Sequence, residues 1–426
     1  MLRTLYTAVW YLATPVIVLR LAWRARLQPG YLRHLGERFG RYGQPRGGPC
    51  IWLHAVSVGE TRAAAPLVRA LLENHPDCRL LLTHMTPTGR ATAAELFGGL
   101  APRVFSVYLP YDFPWAVLRF IRYFRPRLGI LMETEVWPNL VEGCRRTATP
   151  LVMVNARLSE RSARGYRRAG GLAREAFAHL EAVGAQSAAD ARRLGELGAR
   201  PVEVTGNIKF DITPPAAQLE LARAFRNGFG PRRVLLAAST REGEEAPLLE
   251  AFSRLCPPDV LLALVPRHPQ RFEEVARLVA RSGLKMQRRS RDTPVMAETR
   301  VWLGDSMGEM HAYFAAADVA LIGGSWERLG GQNPIEGCAV GCPVIVGPHT
   351  FNFKQVCDQA IEAGAALRAT DLEQGLALAQ ALLDDPTRRK ATGEAGRAFA
   401  LAHRGATART MALLDPLLEE ARARRR

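Results

Sequence analysis

The sequence has few of the patterns from which metal sites and disulfide frameworks are built. Its seven cysteines are odd in number and scattered, and no C-x-x-C pair occurs with a second pair to complete a zinc site. The nine histidines include no H-E-x-x-H motif or other metal-ligand spacing. We therefore expect reduced, packed cysteines, no structural or catalytic metal, and no cofactor.

Lysine is also scarce, although the chain is strongly basic. Lysine and arginine together number 57 against 41 acidic residues, which gives a formal net charge of +16, and only four of the 57 are lysines. Such an arginine excess suits nucleic acid, an anionic membrane surface or a phosphorylated substrate, and net charge does not choose among them. The balance of 48% hydrophobic and 23% charged residues excludes a disordered or collagen-like chain.

No uncharged run is long enough to be a clear transmembrane span. Residues 5–19 carry no charge, but Pro15 interrupts this run and Arg20 ends it, whereas a span needs about 20 apolar residues. No small-residue cleavage site follows, so a signal peptide is not indicated. The next segment has a single acid, Glu37, and these arginines: Arg24, Arg26, Arg33, Arg38, Arg41 and Arg46. The pattern favours a membrane anchor over residues 1–26 with the rest of the chain in the cytoplasm; the alternative is a hydrophobic helix packed on its own domain.

Beyond this segment, short apolar runs alternate with helical stretches in two successive series. Runs that are apolar throughout are typical of parallel strands covered on both faces. The rhythm relaxes over residues 213–232, where proline and glycine cluster, and then restarts. We predict an α/β fold with two doubly wound, Rossmann-like domains that face a cleft: residues 27–212, and residues 233–426 with C-terminal helices, joined by a linker at 213–232.

The two common phosphate-binding motifs are missing. G-x-x-x-x-G-K-[ST] does not occur, and G-x-G-x-x-G does not follow the first predicted strand of either domain. Because ligands of parallel sheets bind at the carboxyl ends of the strands, the chemistry should lie in other loops at those ends.

In the first domain, acidic residues follow two predicted strands: Glu60 follows one, and Glu133 and Glu135 follow another. A carboxylate held there is a suitable general base for a hydroxyl nucleophile. Taken alone, Glu60 is explained as simply by complementing a helix dipole, and the other two by helix capping. Lys209, one of only four lysines, lies in a third loop. It either supplies a compact positive charge at the edge of the cleft or is an ordinary surface residue.

In the second domain, Pro266 and Arg267 directly follow a predicted strand, and Arg267 can reach a phosphate from there. Ser306 and Glu309 have the spacing of a capping box at the start of a helix, and capping alone would explain them.

A glycine-rich loop that starts at Gly323 is the most specific local signal. We expect Asn333 to be the N-cap and Pro334 the first residue of the following helix, so that exposed amides favour an anion there. Glu336, one turn into the helix, can accept hydrogen bonds from ribose hydroxyls.

Taken together, these segments resemble the 3-deoxy-D-manno-octulosonic acid (Kdo) transferases of lipopolysaccharide assembly over essentially the full length. The motifs that carry the resemblance are GERFG (36–40), HAVSVGE (54–60), MTPTG (85–89), LPYD (109–112), METE (132–135), WPNL (137–140), NARLS (155–159), KFD (209–211), PRHP (266–269), MGE (307–309), NPIE (333–336) and GPHTFNFK (347–354). Gln332, where the family usually has histidine, and Trp326 are departures that we expect to be tolerated.

The resemblance implies a GT-B fold and inverting transfer of Kdo from CMP-Kdo to lipid IVA, the tetraacyl-disaccharide bisphosphate precursor of lipid A. It places the enzyme at the cytoplasmic face of the cell inner membrane. By resemblance, Glu60 is the proton acceptor, and Glu133 and Lys209 stabilise the transition state. The positions that match the family's CMP site are Pro266, Arg267, Met307, Gly308, Glu309, Asn333, Pro334, Ile335 and Glu336.

Two other functions are compatible with parts of the sequence. One is a GT-B glycosyltransferase that uses a uridine or guanosine sugar nucleotide, since fold does not determine the donor. The other is a basic protein that binds nucleic acid or a membrane surface without catalysis. That protein would interleave arginines with aromatic residues on one exposed face, whereas the informative residues here follow strands. We therefore expect no nucleic-acid partner.

Overall fold

The structure is a computed structural model that describes residues 2–43, 50–211 and 213–423. Arg46 of the basic segment lies outside the described residues. The chain forms two compact units: Met1–Asp211 together with Arg404–Arg426, and Ile212–His403. Each unit contains one seven-stranded sheet, and every strand pair in both sheets is parallel. The predicted α/β class with doubly wound sheets is confirmed.

The first sheet has the order β3-β2-β1-β4-β5-β6-β7. Its strands are β1 Cys50–His54, β2 Arg79–His84, β3 Val104–Tyr108, β4 Leu128–Met132, β5 Leu151–Ala156, β6 Ala182–Ala185 and β7 Val202–Val204. Every residue of β1, β4 and β5 is buried, which explains why these strands are apolar without alternation. Ile51 of β1 pairs with Leu80 on one side and with Leu128 on the other.

Helices cover both faces of this sheet, and several begin with proline, whose missing N–H has no partner to lose there. The helices are α1 Leu2–Leu27, α2 Val58–Ala63, α3 Ala65–Asn74, α4 Pro87–Phe97, α5 Pro114–Phe124, α6 Pro138–Arg146, α7 Glu160–Arg168, α8 Gly171–Ala178 and α9 Ala188–Glu196. Short 3-10 segments are Pro29–Tyr31, Leu35–Phe39, Gly98–Leu100 and Ile208–Phe210.

The second sheet has the order β10-β11-β9-β8-β12-β13-β14. Its strands are β8 Arg233–Thr240, β9 Val260–Pro266, β10 Met286–Arg288, β11 Val301–Leu303, β12 Val319–Ile322, β13 Val344–Val346 and β14 Ala366–Arg368. Its helices are α10 Ala216–Phe229, α11 Glu245–Leu255, α12 Phe272–Arg281, α13 Met310–Ala316, α14 Ile335–Val340, α15 Lys354–Glu362, α16 Leu372–Asp384 and α17 Pro386–Ala402, with 3-10 segments Pro269–Arg271 and Arg289–Arg291.

The segment expected to be a linker is mostly helical. Residues 213–232 contain α10, and Phe225 of this helix packs 4.9 Å from Trp302 and 5.4 Å from Tyr313, measured between ring centroids. Of the prolines and glycines that suggested a break, Pro215 is the N-cap and Gly230 the C-cap, with φ of +67°, and Gly228 lies in the last turn of the helix. The segment therefore belongs to the core of the second unit.

The last helix, α18 Ala406–Ala423, belongs to the first unit and not to the second domain, where the sequence analysis placed it. Its Leu414 and Leu418 are buried in the core of the first unit. Asp211 accepts a hydrogen bond from the Gly405 amide (2.7 Å), and His75 contacts Asp415 at 3.0 Å. Apolar periodicity predicts a packed helix but does not say against which sheet it packs.

Helix α1 has one packed face and one exposed apolar face. The Tyr6 hydroxyl donates to Asp112 Oδ2 (2.9 Å), and the Thr7 hydroxyl donates to Asn139 Oδ1 (3.1 Å). The most exposed large apolar residues are Leu5, Leu12, Val16, Leu19 and Trp23, each at least 61% exposed. By length and composition the helix could cross a membrane. Its packed side also fits the alternative of a helix packed on its own domain.

Candidate active site

The order of the first sheet reverses between the neighbouring strands β1 and β4. In a doubly wound sheet the loops after two such strands diverge and leave a crevice at their carboxyl ends, where ligands bind. Glu60 follows β1 and Glu133 follows β4. The topology therefore brings the two acidic segments singled out in the sequence to one place.

Glu60 lies in the first turn of α2 and is fixed by contacts with the loop that precedes this helix. The Val56 amide donates to Glu60 Oε2 (2.7 Å), and the Ser57 hydroxyl donates to Oε1 (3.2 Å). The pKa of Glu60 is raised to about 7, first by burial of the carboxyl group and then by the carboxylate of Glu133. A carboxyl group with this pKa is partly deprotonated near neutral pH and is more basic than an ordinary carboxylate, which suits a general base.

Glu133 and Lys209 form a partly buried ion pair. Lys209 Nζ lies 3.2 Å from Glu133 Oε1, and the two side chains are 22% and 28% exposed, respectively. Glu133 has a left-handed backbone, with φ of +59°, and its amide donates to Val154 O (3.0 Å). Left-handed backbone costs free energy in a non-glycine residue, so the surrounding loop must hold it in place.

Two residues that support these groups were not singled out individually in the sequence. Asn155 is buried with φ of +51°, and its Oδ1 accepts from the Ile208 amide (3.1 Å), next to Lys209. Trp137 Nε1 donates to Glu135 Oε2 (2.9 Å), which fixes the third carboxylate. An asparagine near the carboxyl end of an apolar strand, here the last residue but one of β5, is a signal that could have been used, because asparagine tolerates the left-handed region.

Two buried histidines lie at the ends of neighbouring strands. His54 Nδ1 contacts the Thr83 hydroxyl at 2.9 Å, and His84 Nδ1 contacts Ala55 O at 2.8 Å. Burial lowers the pKa of His54 to about 3 and that of His84 to about 4. Both imidazoles are therefore neutral and very weak bases at neutral pH, which leaves Glu60 as the better proton acceptor in this region.

In the second unit, the order reverses between β8 and β12. The amide of Gly323, directly after β12, donates to Ala238 O of β8 (2.8 Å). Pro266 ends β9, and the Arg267 amide donates to Thr240 O (2.9 Å) at the end of β8. His268 lies among cations: burial, then Arg241, Arg267 and Arg271, lower its pKa. Three arginines therefore lie around His268, and one of them, Arg271, is paired with Glu245 and Glu274.

The segment between β11 and α13 contains Met307, Gly308 and Glu309. The prediction that Ser306 and Glu309 form a capping box here is wrong. The helix begins at Met310, and Glu309 is its N-cap without a side-chain cap. Instead, the Ser306 hydroxyl donates to Glu309 Oε2 (2.5 Å), and Arg289 donates two hydrogen bonds of 3.2 Å to the same carboxylate. Gly308 has φ of +80°. The segment is a turn held by side-chain contacts.

The glycine-rich loop also differs from its expected form. The Gly324 amide (2.8 Å) and the Trp326 amide (3.1 Å) both donate to the buried carboxylate of Glu244. These two amides are therefore not available to an external anion; the predicted anion site concerned the amides at the start of the following helix. Glu244 was missed because a glutamate in a Gly-Glu-Glu run looks like a solvent-exposed charge.

The helix after this loop starts one residue later than expected. It begins at Ile335 with Pro334 as the N-cap, and Asn333 Oδ1 accepts from the Ile335 amide (3.0 Å). Asn333 thus still supplies the capping oxygen. Glu336 lies in the first turn, as predicted.

The part of the chain that the structure describes contains no group of three or more His, Cys, Asp or Glu side chains that could hold a metal ion. All seven cysteines lie within this part, and they are buried and free of disulfides.

The chain is similar to known proteins in both sequence and structure. A family model for the 3-deoxy-D-manno-octulosonic-acid transferases (kdotransferase) matches residues 33–212. A 3-deoxy-D-manno-octulosonic acid transferase of Bordetella pertussis is 47% identical over 98% of this chain and 99% of its own length. The transferase of Haemophilus influenzae is 37% identical over the same shares.

Among solved structures, a putative UDP-N-acetylglucosamine 2-epimerase from Listeria monocytogenes matches with a TM-score of 0.57 and 17% identity. The match covers 88% of this chain and 98% of the epimerase. At this identity the likeness shows the fold alone, a two-domain α/β fold of GT-B type.

Proposed function

Because the chain belongs to the family of 3-deoxy-D-manno-octulosonic acid transferases, and is thus a glycosyltransferase, we propose that it moves Kdo from CMP-Kdo to lipid IVA with inversion at the anomeric carbon. The observation that carries this mechanism is the carboxyl group of Glu60, held by two hydrogen bonds and with its pKa raised to about 7.

In the proposed reaction, Glu60 accepts the proton of an acceptor hydroxyl as its oxygen attacks the anomeric carbon of Kdo. The new C–O bond forms on the face opposite CMP, and the bond from the anomeric carbon to the phosphate oxygen breaks. CMP leaves with that electron pair. One nucleophilic displacement of this kind inverts the configuration.

Glu133 and Lys209 are proposed to stabilise the transition state. Lys209 places its ammonium 3.2 Å from Glu133, the carboxylate that lies near Glu60, and this ammonium would stabilise negative charge that develops as the acceptor loses its proton. A fixed and partly buried charge is effective because it does not have to reorganise during the reaction.

Charge on the departing CMP is proposed to be stabilised mainly by Arg267. The amides of Gly324 and Trp326 are occupied by Glu244, so a guanidinium is better placed than this loop to contact the phosphate. CMP carries one phosphate, which limits the charge to be stabilised. The remaining CMP contacts are assigned to Met307, Gly308, Glu309, Asn333, Pro334, Ile335, Glu336 and Pro266 by resemblance.

The acceptor is proposed to be a phosphorylated lipid at the cytoplasmic face of the inner membrane. The exposed apolar face of α1 suits the membrane interface, and the net charge of +16 suits both anionic lipid and the acceptor phosphates.

The test is a mass-spectrometric assay of the purified protein with CMP-Kdo generated in situ and lipid IVA, with a chelator present. Mass increments of one or more Kdo units would support donor, acceptor and metal independence together. If no increment appeared beside an active control enzyme, uridine and guanosine sugar nucleotides would be assayed next. Salt-dependent binding of duplex DNA without sugar transfer would instead favour a binding protein.

A further inference from the structure

We propose that Arg241 is a donor-binding residue that holds an anionic group of the sugar nucleotide beside Arg267. The inference rests on the proposed function, since it takes CMP-Kdo as the donor. It adds a residue that lies outside the motifs by which the chain resembles its family.

Arg241 lies at the ligand-binding position of the second sheet. It directly follows β8, which neighbours β12 where the strand order reverses, and the crevice of a doubly wound sheet opens there. The loops after the two strands touch: a Cβ added at Gly323 would lie 2.4 Å from Ser239 O, and one added at Gly324 would lie 3.5 Å from Arg241 Cγ. The stem of Arg241 therefore runs beside the glycine-rich loop.

The charge of Arg241 is not neutralised locally. Its side chain is half-buried, and among the described residues it forms no hydrogen bond or ion pair. Nearby Arg271 is different, because it contacts Glu245 at 2.6 Å and Glu274 at 3.2 Å. Arg241 instead shares its surroundings with Arg267 and His268. The two carboxylates closest in sequence already have other partners: Glu244 accepts from backbone amides, and Glu245 from Thr240 and Arg271. The guanidinium of Arg241 is therefore suited to an anionic ligand.

The backbone next to Arg241 cannot supply the anion contacts. Glu244 accepts hydrogen bonds from the amides of Arg241 (2.8 Å), Gly324 (2.8 Å) and Trp326 (3.1 Å). These three amides are therefore not available to an anionic ligand, whereas the guanidinium of Arg241 is. CMP-Kdo carries two such groups, the phosphodiester and the Kdo carboxylate, and a planar guanidinium can bind either through two hydrogen bonds. Two arginines match two anionic groups.

The experiment compares Arg241→Gln with Arg277→Gln, which removes the same charge from an exposed position on α12 of the same unit. The KM for CMP-Kdo and the calorimetric affinities for CMP-Kdo and CMP are measured for the full-length enzyme. We expect Arg241→Gln to raise the KM and to weaken CMP-Kdo binding by about 10- to 100-fold, the usual effect of losing a charged hydrogen bond. Arg277→Gln should stay within about twofold of the wild type.

The affinity for CMP distinguishes the two anionic groups, because CMP has the phosphate and lacks the Kdo carboxylate. Weakening of CMP by the same factor assigns Arg241 to the phosphate, and unchanged CMP affinity assigns it to the carboxylate. Arg241→Lys keeps the positive charge but cannot form two parallel hydrogen bonds as a guanidinium does. It should therefore bind more tightly than Arg241→Gln and more weakly than the wild type. It also serves as the test variant if Arg241→Gln fails to fold.

The proposal is overturned if Arg241→Gln, or Arg241→Lys in its place, binds CMP-Kdo and CMP with wild-type affinity. Failure of the proposed function looks different: the wild type then transfers no Kdo. If the wild type binds CMP-Kdo without transferring Kdo, the calorimetric comparison still decides the function of Arg241. If the wild type binds neither CMP-Kdo nor CMP, both proposals fail together.

Discussion

Two glutamates occupy corresponding places in the two units and differ in what they contact. Glu60 follows β1 and Glu244 follows β8, and each of these strands lies where the order of its sheet reverses. Burial is the main cause that raises the pKa of both. Glu244 is 2% exposed and accepts from three backbone amides, whereas Glu60 is partly exposed and accepts from one amide and one hydroxyl. The same position in the fold can therefore hold a loop together or leave a carboxyl group partly exposed, as the proposed role of Glu60 requires.

The charges around the two glutamates differ as well. Glu60 has Glu133 and Glu135 nearby, and both raise its pKa. The loops near Glu244 carry Arg241 and Arg267. Carboxylates thus surround Glu60, whereas arginines lie in the loops near Glu244, a difference that agrees with the proposed base in the first unit and the proposed donor site in the second.

The largest effect should come from Glu60→Gln. If Glu60 is the base, kcat should fall by about 10²- to 10⁴-fold, the range that general acid–base catalysis contributes, while CMP affinity stays unchanged. Steady-state Kdo transfer and calorimetry with CMP measure the two quantities. Glu73→Gln, at an exposed position on α3, is the matched control. Normal turnover of Glu60→Gln would show that another group accepts the proton.

A smaller effect should appear in the pH profile of the wild type. Because Glu60 must be deprotonated to act and its pKa is raised to about 7, kcat/KM should fall as the pH decreases below 7. The limiting slope is tenfold per pH unit. The measurement is kcat/KM between pH 5 and pH 8.5 at constant ionic strength. A profile that is flat from pH 5.5 to pH 8 would contradict a base with this pKa.

The smallest effect on turnover, and a clear effect on stability, should come from Glu244→Gln. The amide keeps only one acceptor oxygen for three backbone donors, so we expect a loss of about 1–3 kcal/mol in the stability of the second unit. Thermal or urea unfolding measures this loss, with the exposed neighbour variant Glu242→Gln as control. In Glu60→Gln the same measurement should change little, because Glu60 is already partly protonated at neutral pH. If Glu244→Gln and Glu60→Gln were destabilised equally, the proposed distinction between a structural Glu244 and a catalytic Glu60 would be contradicted.

The strand-end acids could be found in the sequence, but the difference between them could not. Glu60, Glu133 and Lys209 were singled out from their loops and from the resemblance, and the structure pairs the last two at 3.2 Å. Glu244 gave no signal, because its partners are the amides of Gly324 and Trp326, some 80 residues later in the chain. Sequence spacing does not reveal such a contact.

Strands and helices were predicted correctly where the local sequence pattern was sufficient, and incorrectly where contacts between distant residues decided. Buried strands such as β1 and β4 were recognised because parallel strands covered on both faces are apolar throughout. Residues 213–232 were misassigned to a linker, because proline and glycine at helix ends resemble those of a loop until the packing of Phe225 is known.

The sequence by itself determined the α/β class, the family, and the residue types at the strand ends, because these depend on local pattern and on motifs in a fixed order. Only the tertiary structure decided that α18 packs in the first unit, that Glu244 fills the glycine-rich loop, and that Arg241 is left without a carboxylate partner among the described residues. Each of these outcomes depends on which distant groups become neighbours. Burial and unpaired charge are set by those neighbours and not by position along the chain.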